Sequence, residues 1–266
     1  VDAAMRTIMR NQVHLLLAVA GLVLLFQGCA RPPFTHEPLP AAESIWEQFK
    51  RTETDPLRAV EAKASVRFSA EGRRHRVVLT LWGNWDLPFR MDIRAGIGNM
   101  LLHARQDDQG LLLYFPAENR AYIQPRESGA PIFPGFDLPF SLKELALVLT
   151  NRWSEIIPDS YARFQKTDGG YRFFFPDDSQ VESVVLDSSA RPVLITGSNS
   201  TTWMLEPADW SRGNGQWAAG RTTVSLGTGE RAVALIKEFD FLGDPWSSDE
   251  LFLQPPDSVL FHPLSP

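Results

Sequence analysis

Phe89-Arg90-Met91-Asp92-Ile93-Arg94 alternates without a break between apolar and charged side chains. Successive side chains on a strand point to opposite faces, so this stretch predicts a strand with one dry face and one wet face. Its neighbours repeat the pattern. Ala64-Ser65-Val66-Arg67-Phe68-Ser69 alternates small or apolar with polar, and Arg76 to Trp82 is β-branched and apolar. Met100 to Arg105, Leu111 to Phe115 and Arg120 to Gln124 continue the series. Turn formers separate them: Glu71-Gly72, Gly83-Asn84, Asp86 to Pro88, Asp107 to Gly110 and Pro116 to Asn119. Short strands joined by tight turns predict an antiparallel meander.

On either side of this meander the period changes. Upstream, Ala41 to Arg51 places Ile45, Trp46 and Phe49 at helical spacing after Pro40, which predicts a short amphipathic helix. Downstream, Pro139 to Trp153 puts Leu142, Leu145 and Leu149 on one face with Ala146 beside them. Ser141 followed by Glu144 is a capping box, so a helix is expected over 141–151. Strands resume at Ala162 to Lys166, Tyr171 to Phe175, Val181 to Asp187 and Arg191 to Thr196. Gly197 to Gly220 is rich in Gly, Ser and Trp without a sustained period and reads as an irregular insertion. Arg221 to Leu226 and Ala232 to Phe241 are the final strands, and Gly243 to Pro266, with five Pro, reads as an extended tail. About ten strands with one apolar face must curl or close, because strands twist. The helices are too few to cover such a face. The expected architecture is therefore mainly β (α+β), a curled antiparallel sheet with the 141–151 helix lying across its apolar concave face. Left partly open, that face would hold something greasy; filled with side chains, it is simply a core.

The N-terminus carries a different signal. Arg6 and Arg10 precede an apolar run from Val13 to Phe26. Fourteen residues span about 21 Å as a helix, short of the ~20 residues that cross a bilayer. A basic flank, a short apolar run and a small residue describe a secretory signal peptide. Leu25-Phe26-Gln27-Gly28-Cys29 resembles a bacterial lipoprotein processing site. Cleavage after Gly28 would leave Cys29, the chain's one cysteine, to be acylated. Several acyl chains at ~0.8 kcal/mol per buried CH₂ anchor a protein durably. Asp2, Arg6 and Arg10 would leave with the signal, taking the net charge from −6 to −7. The expected organisation is a signal peptide over 1–28, a lipidated Pro-rich tether over 29–40, a folded domain over 41–245 with the 197–220 insertion, and a Pro-rich tail over 246–266. Ala30 after the cysteine suggests, by resemblance to enterobacterial lipoproteins, the outer membrane with the domain facing the periplasm.

Composition limits the chemistry. The chain has 266 residues, 44% hydrophobic and 22% charged, as an ordinary globular protein does. One Cys excludes an internal disulfide and a multi-thiolate metal site. A net charge of −6 disfavours nucleic acid as a partner, although a local basic patch stays compatible with it. The histidines, His14, His36, His75, His103 and His262, include no pair at metal-ligand spacing. No phosphate-binding loop, nucleophile elbow or dinucleotide fingerprint is present. Asp107-Asp108 and Asp177-Asp178 fall in turns, where Asp serves the backbone. Trp82 and Trp85 flank a turn and read as core or rim. Neither an enzyme nor a cofactor is expected.

Taken in order, these residues resemble the LolA/LolB family of lipoprotein carriers and outer-membrane lipoprotein receptors. The likeness starts at Trp46 and runs through Val66-Arg67-Phe68, Leu81-Trp82, Arg90-Met91-Asp92, Arg94-Ala95-Gly96-Ile97-Gly98 and Leu138-Pro139, over roughly residues 41–245. The order of elements makes the resemblance, not one motif. It implies an unclosed antiparallel β-barrel with a helical lid that carries acyl chains, and a membrane-anchored branch that is itself a lipoprotein, in keeping with Cys29. Ile97 matches the family's exposed apolar loop residue, which helps deliver cargo into the bilayer; it equally fits an ordinary strand-end packing residue. The cavity and lid positions are Phe68, Trp82, Phe89, Met91, Ile93, Leu142, Leu145 and Leu149. The implied partners are an acylated lipoprotein or lipid cargo, a periplasmic carrier that hands it over, and the membrane. The alternative is an envelope lipoprotein that keeps the scaffold with a filled core and uses it for protein–protein interaction.

Overall fold

The strict alternation at 89–94 becomes β3 (Phe89–Ala95), with Phe89 and Met91 buried and Arg94 exposed. In the computed structural model of the protein, described over residues 41–51, 58–70, 73–96, 98–126, 139–199, 201–213 and 216–264, it lies inside a single curled sheet of 14 strands. The expected signal peptide, Cys29, the tether and Ile97 lie outside those residues. β3 is flanked by β2 (Arg73–Asn84) and β4 (Met100–Gln106), and β1 (Ala59–Ala70) follows β2. β5 (Gly110–Phe115) and β6 (Arg120–Pro125) complete the meander. The later strands are β7 (Arg163–Thr167), β8 (Gly170–Phe174), β9 (Val181–Asp187), β10 (Pro192–Ser198), β11 (Thr202–Gly213), β12 (Gln216–Leu226) and β13 (Arg231–Leu242). The spatial order is β14-β6-β5-β4-β3-β2-β1-β13-β12-β11-β10-β9-β8-β7, where β14 is Leu260–Pro263. β13 comes back to pair with β1, joining the two meanders into one sheet. The sheet does not close on itself, because β14 and β7 are separate edges.

Two helices lie on the sheet. α1 (Ala42–Lys50) buries Ala42, Ile45, Trp46 and Phe49. α2 (Leu142–Leu149) starts at the expected capping box: the Ser141 hydroxyl accepts from Glu144 N at 3.1 Å, and Ser141 N donates to the Glu144 carboxylate at 2.7 Å. It ends at Thr150, sooner than expected by a residue or two, and a short α3 (Trp153–Ile156) follows. No described helix is long and apolar enough to cross a membrane.

Two expectations need correction. Gly197 to Gly220 is not irregular. β11 and β12 pair along it as a long antiparallel hairpin, from Trp203 opposite Leu226 to Gly213 opposite Gln216. Gly197 belongs to this order: the Trp203 indole lies across it, and an added Cβ would meet that ring at 2.1 Å. Nor is the 246–266 segment, expected as an extended tail, extended throughout its described residues. It forms α4 (Ser248–Leu251), with a second capping box between Ser247 and Glu250, and β14, which adds to β6 in parallel. Trp246 N donates to Asn84 Oδ1 at 2.8 Å, and its indole Nε1 donates to the Val60 carbonyl at 3.2 Å.

Candidate functional site

The register of the sheet decides which side chains meet. Directly opposed residues on paired strands share a face. Leu81 pairs with both Ala62 and Met91, and Met91 pairs with Ala104. All four are buried in one cluster with Val60, Ala64, Leu79 and Phe89. This is the inner face. Leu142, Ala146 and Leu149 of α2 belong to the same cluster, and Leu145 is partly buried against it. Leu142 and Leu149 are buried. Ile93 packs against the cluster from its edge.

Of the expected cavity and lid positions, Phe89, Met91, Ile93, Leu142, Leu145 and Leu149 are thus brought together. Phe68 shares the inner face, since Val66 and Phe68 continue the even positions of β1. It sits at the far end, half-buried and stacked on His75 with ring centroids 5.1 Å apart. Trp82 does not join them. It is one residue beyond Leu81 and therefore points to the opposite face. There the Arg90 guanidinium lies 5.2 Å from its ring centroid, and its Nε1 donates to the Glu250 carbonyl of α4 at 3.4 Å.

The ends of α2 are tied by polar contacts and its middle by apolar ones. At the N-terminal end, Leu142 N donates to Gln106 Oε1 at 2.7 Å, and Lys143 Nζ donates to the Trp85 carbonyl at 2.8 Å. At the other end Asn151, with φ +63°, bridges to β12: Ala219 N donates to its Oδ1 at 2.7 Å and its Nδ2 donates to the Ala219 carbonyl at 3.4 Å. The Arg152 guanidinium stands 4.6 Å from the Trp85 ring centroid and 5.7 Å from that of Phe241. Sequence reasoning missed Gln106, Asn151 and Arg152. The available signal was local: an Asn just past a helix end is a common left-handed stop.

The inner face is covered by α2, whose Leu142, Ala146 and Leu149 are buried against it. Two clefts lie elsewhere along the described residues, and neither is lined by Ala146 or Leu149. One, of about 190 Å³, lies at the N-terminal end of α2 between Gln106, Gln124, Ser141 and Lys143. The other, of about 570 Å³, lies between Arg163, Phe174 and Glu182.

Titratable groups gather on the outer face. His103 Nδ1 is 2.7 Å from Asp92 Oδ1, Arg90 lies 3.5 Å from the same oxygen, and Arg90 also donates to the Phe252 carbonyl. Burial would raise the Asp92 carboxyl. The hydrogen bond and charge of His103, with those of Arg90, outweigh it and hold the group below the usual aspartate range. Burial lowers Arg90 from its ordinary value. The cluster is a clasp between the sheet and the segment after α4. Among the described residues, no group of three His, Cys, Asp or Glu side chains could hold a metal ion.

No protein-family model matches the chain, and neither does any curated protein. Solved structures do. A domain described as an outer membrane lipoprotein-sorting protein, from Vibrio parahaemolyticus, superposes with TM-score 0.53 at 13% identity, over 78% of this chain and 94% of its own. A LolA superfamily protein from Nitrosomonas europaea gives TM-score 0.46 at 13% identity, over 80% and 97%. A DUF1329 family protein from Desulfovibrio piger gives 0.49 at 12%, over 75% and 92%. Such identities speak to the fold alone. An open curled sheet with a short helix laid across its inner face is the fold that this chain shares with the lipoprotein-sorting domain from Vibrio parahaemolyticus.

Proposed function

We propose that the protein binds the acyl chains of lipoproteins or lipids on its inner face, beneath α2, and that it does so by non-covalent exchange rather than by chemistry. The observation that supports this is the way α2 is held. Its two ends are tied by side-chain hydrogen bonds, while its middle is held only by apolar contact. Apolar contact is what a hydrocarbon replaces. Lifting the helix exposes Leu142 and Leu149, at roughly 1.5–3 kcal/mol each, with smaller terms for Leu145 and Ala146. An acyl chain contributes about 0.8 kcal/mol per buried CH₂. Roughly eight methylenes therefore offset the opening, and a sixteen-carbon chain exceeds it comfortably.

In this reading the protein is held at the outer membrane through Cys29, faces the periplasm, receives lipoproteins from a periplasmic carrier and aids their insertion, with Ile97 at the loop that meets the bilayer. The fold of the lipoprotein-sorting domain supports the cargo class; the anchoring and the direction of transfer are part of the proposal. The test uses the full chain and fluorescent fatty acids of graded length. Binding should appear between about eight and twelve carbons, and Leu145→Glu should weaken it about tenfold. Equal affinity for wild type and variant removes the inner face as the site.

A second reading has its own observation. Leu142, Ala146 and Leu149 are already buried against the inner face. A core that never opens would make this an envelope lipoprotein whose scaffold serves protein–protein interaction. In that case no chain length binds.

A further inference from the structure

At one end of the outer face several arginines gather. Arg67 on β1 stands directly opposite Arg76 on β2. On β3, Arg94 pairs with Val78, which places it diagonally from Arg76; on β13, Arg231 pairs with Ser69, diagonally from Arg67. Arg74 also faces Ser69 from β2. Side chains in such positions lie within about 8 Å of one another across a sheet. All are exposed. Among the described residues none of them forms an ion pair, whereas Arg90, Arg105, Arg120, Arg152, Arg191 and Arg221 each do. Like charges directly opposite are unfavourable. The chain keeps this arrangement although its net charge is −6. Of the described acidic side chains at this end, Glu230 accepts from Thr228 and Glu206 acts on Arg221.

We propose that this arginine end docks on a membrane surface of anionic phospholipid. Three features favour a layer of phosphodiester headgroups over an acidic protein. Every cation in the set is a guanidinium, whose planar fork matches phosphate oxygens in pairs. The set spreads over β3, β2, β1 and β13 on one face, as a broad surface requires, rather than lining a pocket. Behind Arg67 and Arg76, on the other face of the same strands, Phe68 and His75 stack at the end of the apolar inner face, beyond the buried positions. One rim thus offers cations outside and an apolar path inside, which is the polarity of a lipid. The inference deepens the acyl-binding reading by giving it a membrane-facing end, but it is tested apart from it.

The test measures partition of the full chain, made without lipidation, onto vesicles of phosphatidylglycerol and onto vesicles of phosphatidylcholine. The ratio of the two affinities cancels whatever apolar segments contribute. Each cation near an anionic surface changes the affinity by about fivefold, so R67Q/R76Q/R94Q should lower the ratio roughly a hundredfold. Raising the salt should lower the wild-type ratio in the same direction without any substitution. Fatty-acid binding of the triple variant should stay at the wild-type level, which also reports that it is folded. A wild-type ratio near one, as a docking site for an acidic protein would give, overturns the proposal. So does a high ratio that the triple variant keeps. Neither result touches the lid, whose own test is Leu145→Glu.

Discussion

The two helices cover two parts of one sheet with different materials. Under α1 the packing is aromatic. Trp46 meets Phe173 at 5.0 Å, Tyr161 at 5.2 Å, Phe49 at 5.8 Å and Phe175 at 5.9 Å between ring centroids, and Tyr161 meets Phe173 at 5.0 Å. Under α2 the floor is mostly aliphatic and often small: Ala62, Ala64 and Ala104 lie among Leu79, Leu81 and Met91, the helix itself contributes Ala146, and Phe89 is the one buried ring, with further aromatic side chains only partly buried around it. Interlocked rings in fixed tilts gain contact energy beyond their area and have few alternative arrangements. Alanines and flexible aliphatic chains have no such preference. Remove the helix, and the first region is a broken jigsaw while the second is a smooth apolar trough. One fold can therefore hold a permanent core and a displaceable one side by side.

The sharpest break of this contrast is Trp46→Ala. It removes the hub of the aromatic cluster and should cost about 3–5 kcal/mol of stability, read by denaturant unfolding. Fatty-acid binding by the fraction that stays folded should not change. A loss of binding in step with stability would mean the two regions are one cooperative core.

Next in size is Asp92→Asn, which concerns the clasp behind the trough. It leaves Arg90 buried with the Phe252 carbonyl but without its countercharge, and should cost about 3 kcal/mol. The pH dependence has a definite sign. The Asp92 carboxyl in the folded protein titrates below its unfolded counterpart, whose pKa is about 3.9. Its stabilisation is complete above that value and is lost as pH falls through the lower folded pKa. Acid unfolding of the wild type should therefore show an extra loss below about pH 4 that the variant lacks. Parallel curves would assign the clasp no electrostatic role.

How far the sequence foretold this arrangement depended on whether one face of a segment was dry and the other wet. The 89–94 alternation and the Ser141–Glu144 box were legible because each is a local pattern with a single physical cause. The same parity would have placed Trp82 correctly: Leu79 and Leu81 face inward, so Trp82 cannot, however apolar its ring. In β11 the dry positions Trp203, Leu205 and Pro207 alternate too. A proline inside the strand and the Gly-Ser surroundings hid them, and beyond Asp209 the strand leaves the core and loses its pattern. Ser247 and Glu250 announced α4 in the usual spacing, but the many prolines of that segment suggested an extended tail. What no pattern could give was the state of the trough. The same leucines line a hollow or fill it, and only their packing against α2 distinguishes the two.

The smallest effect tests how the displaceable side is hinged. Asn151 closes α2 in a left-handed conformation and holds β12 through both atoms of its amide. Asn151→Gly keeps that backbone conformation free of strain, because glycine adopts it readily, and so isolates the side-chain hydrogen bonds, the two to Ala219 and the one that Oδ1 accepts from the Trp153 indole at 3.3 Å. Their loss should cost about 1 kcal/mol, a small change in global stability. A lid tied at its ends and greased in its middle should respond differently in kinetics than in affinity. Release of the tie lowers the barrier to lifting the helix while leaving the trough, and the bound state within it, nearly as before. Fatty-acid uptake measured by stopped flow should therefore accelerate several-fold with an equilibrium affinity changed by less than that. Uptake at the wild-type rate would move the hinge to the other end of α2, where Gln106 and Lys143 hold the first turn.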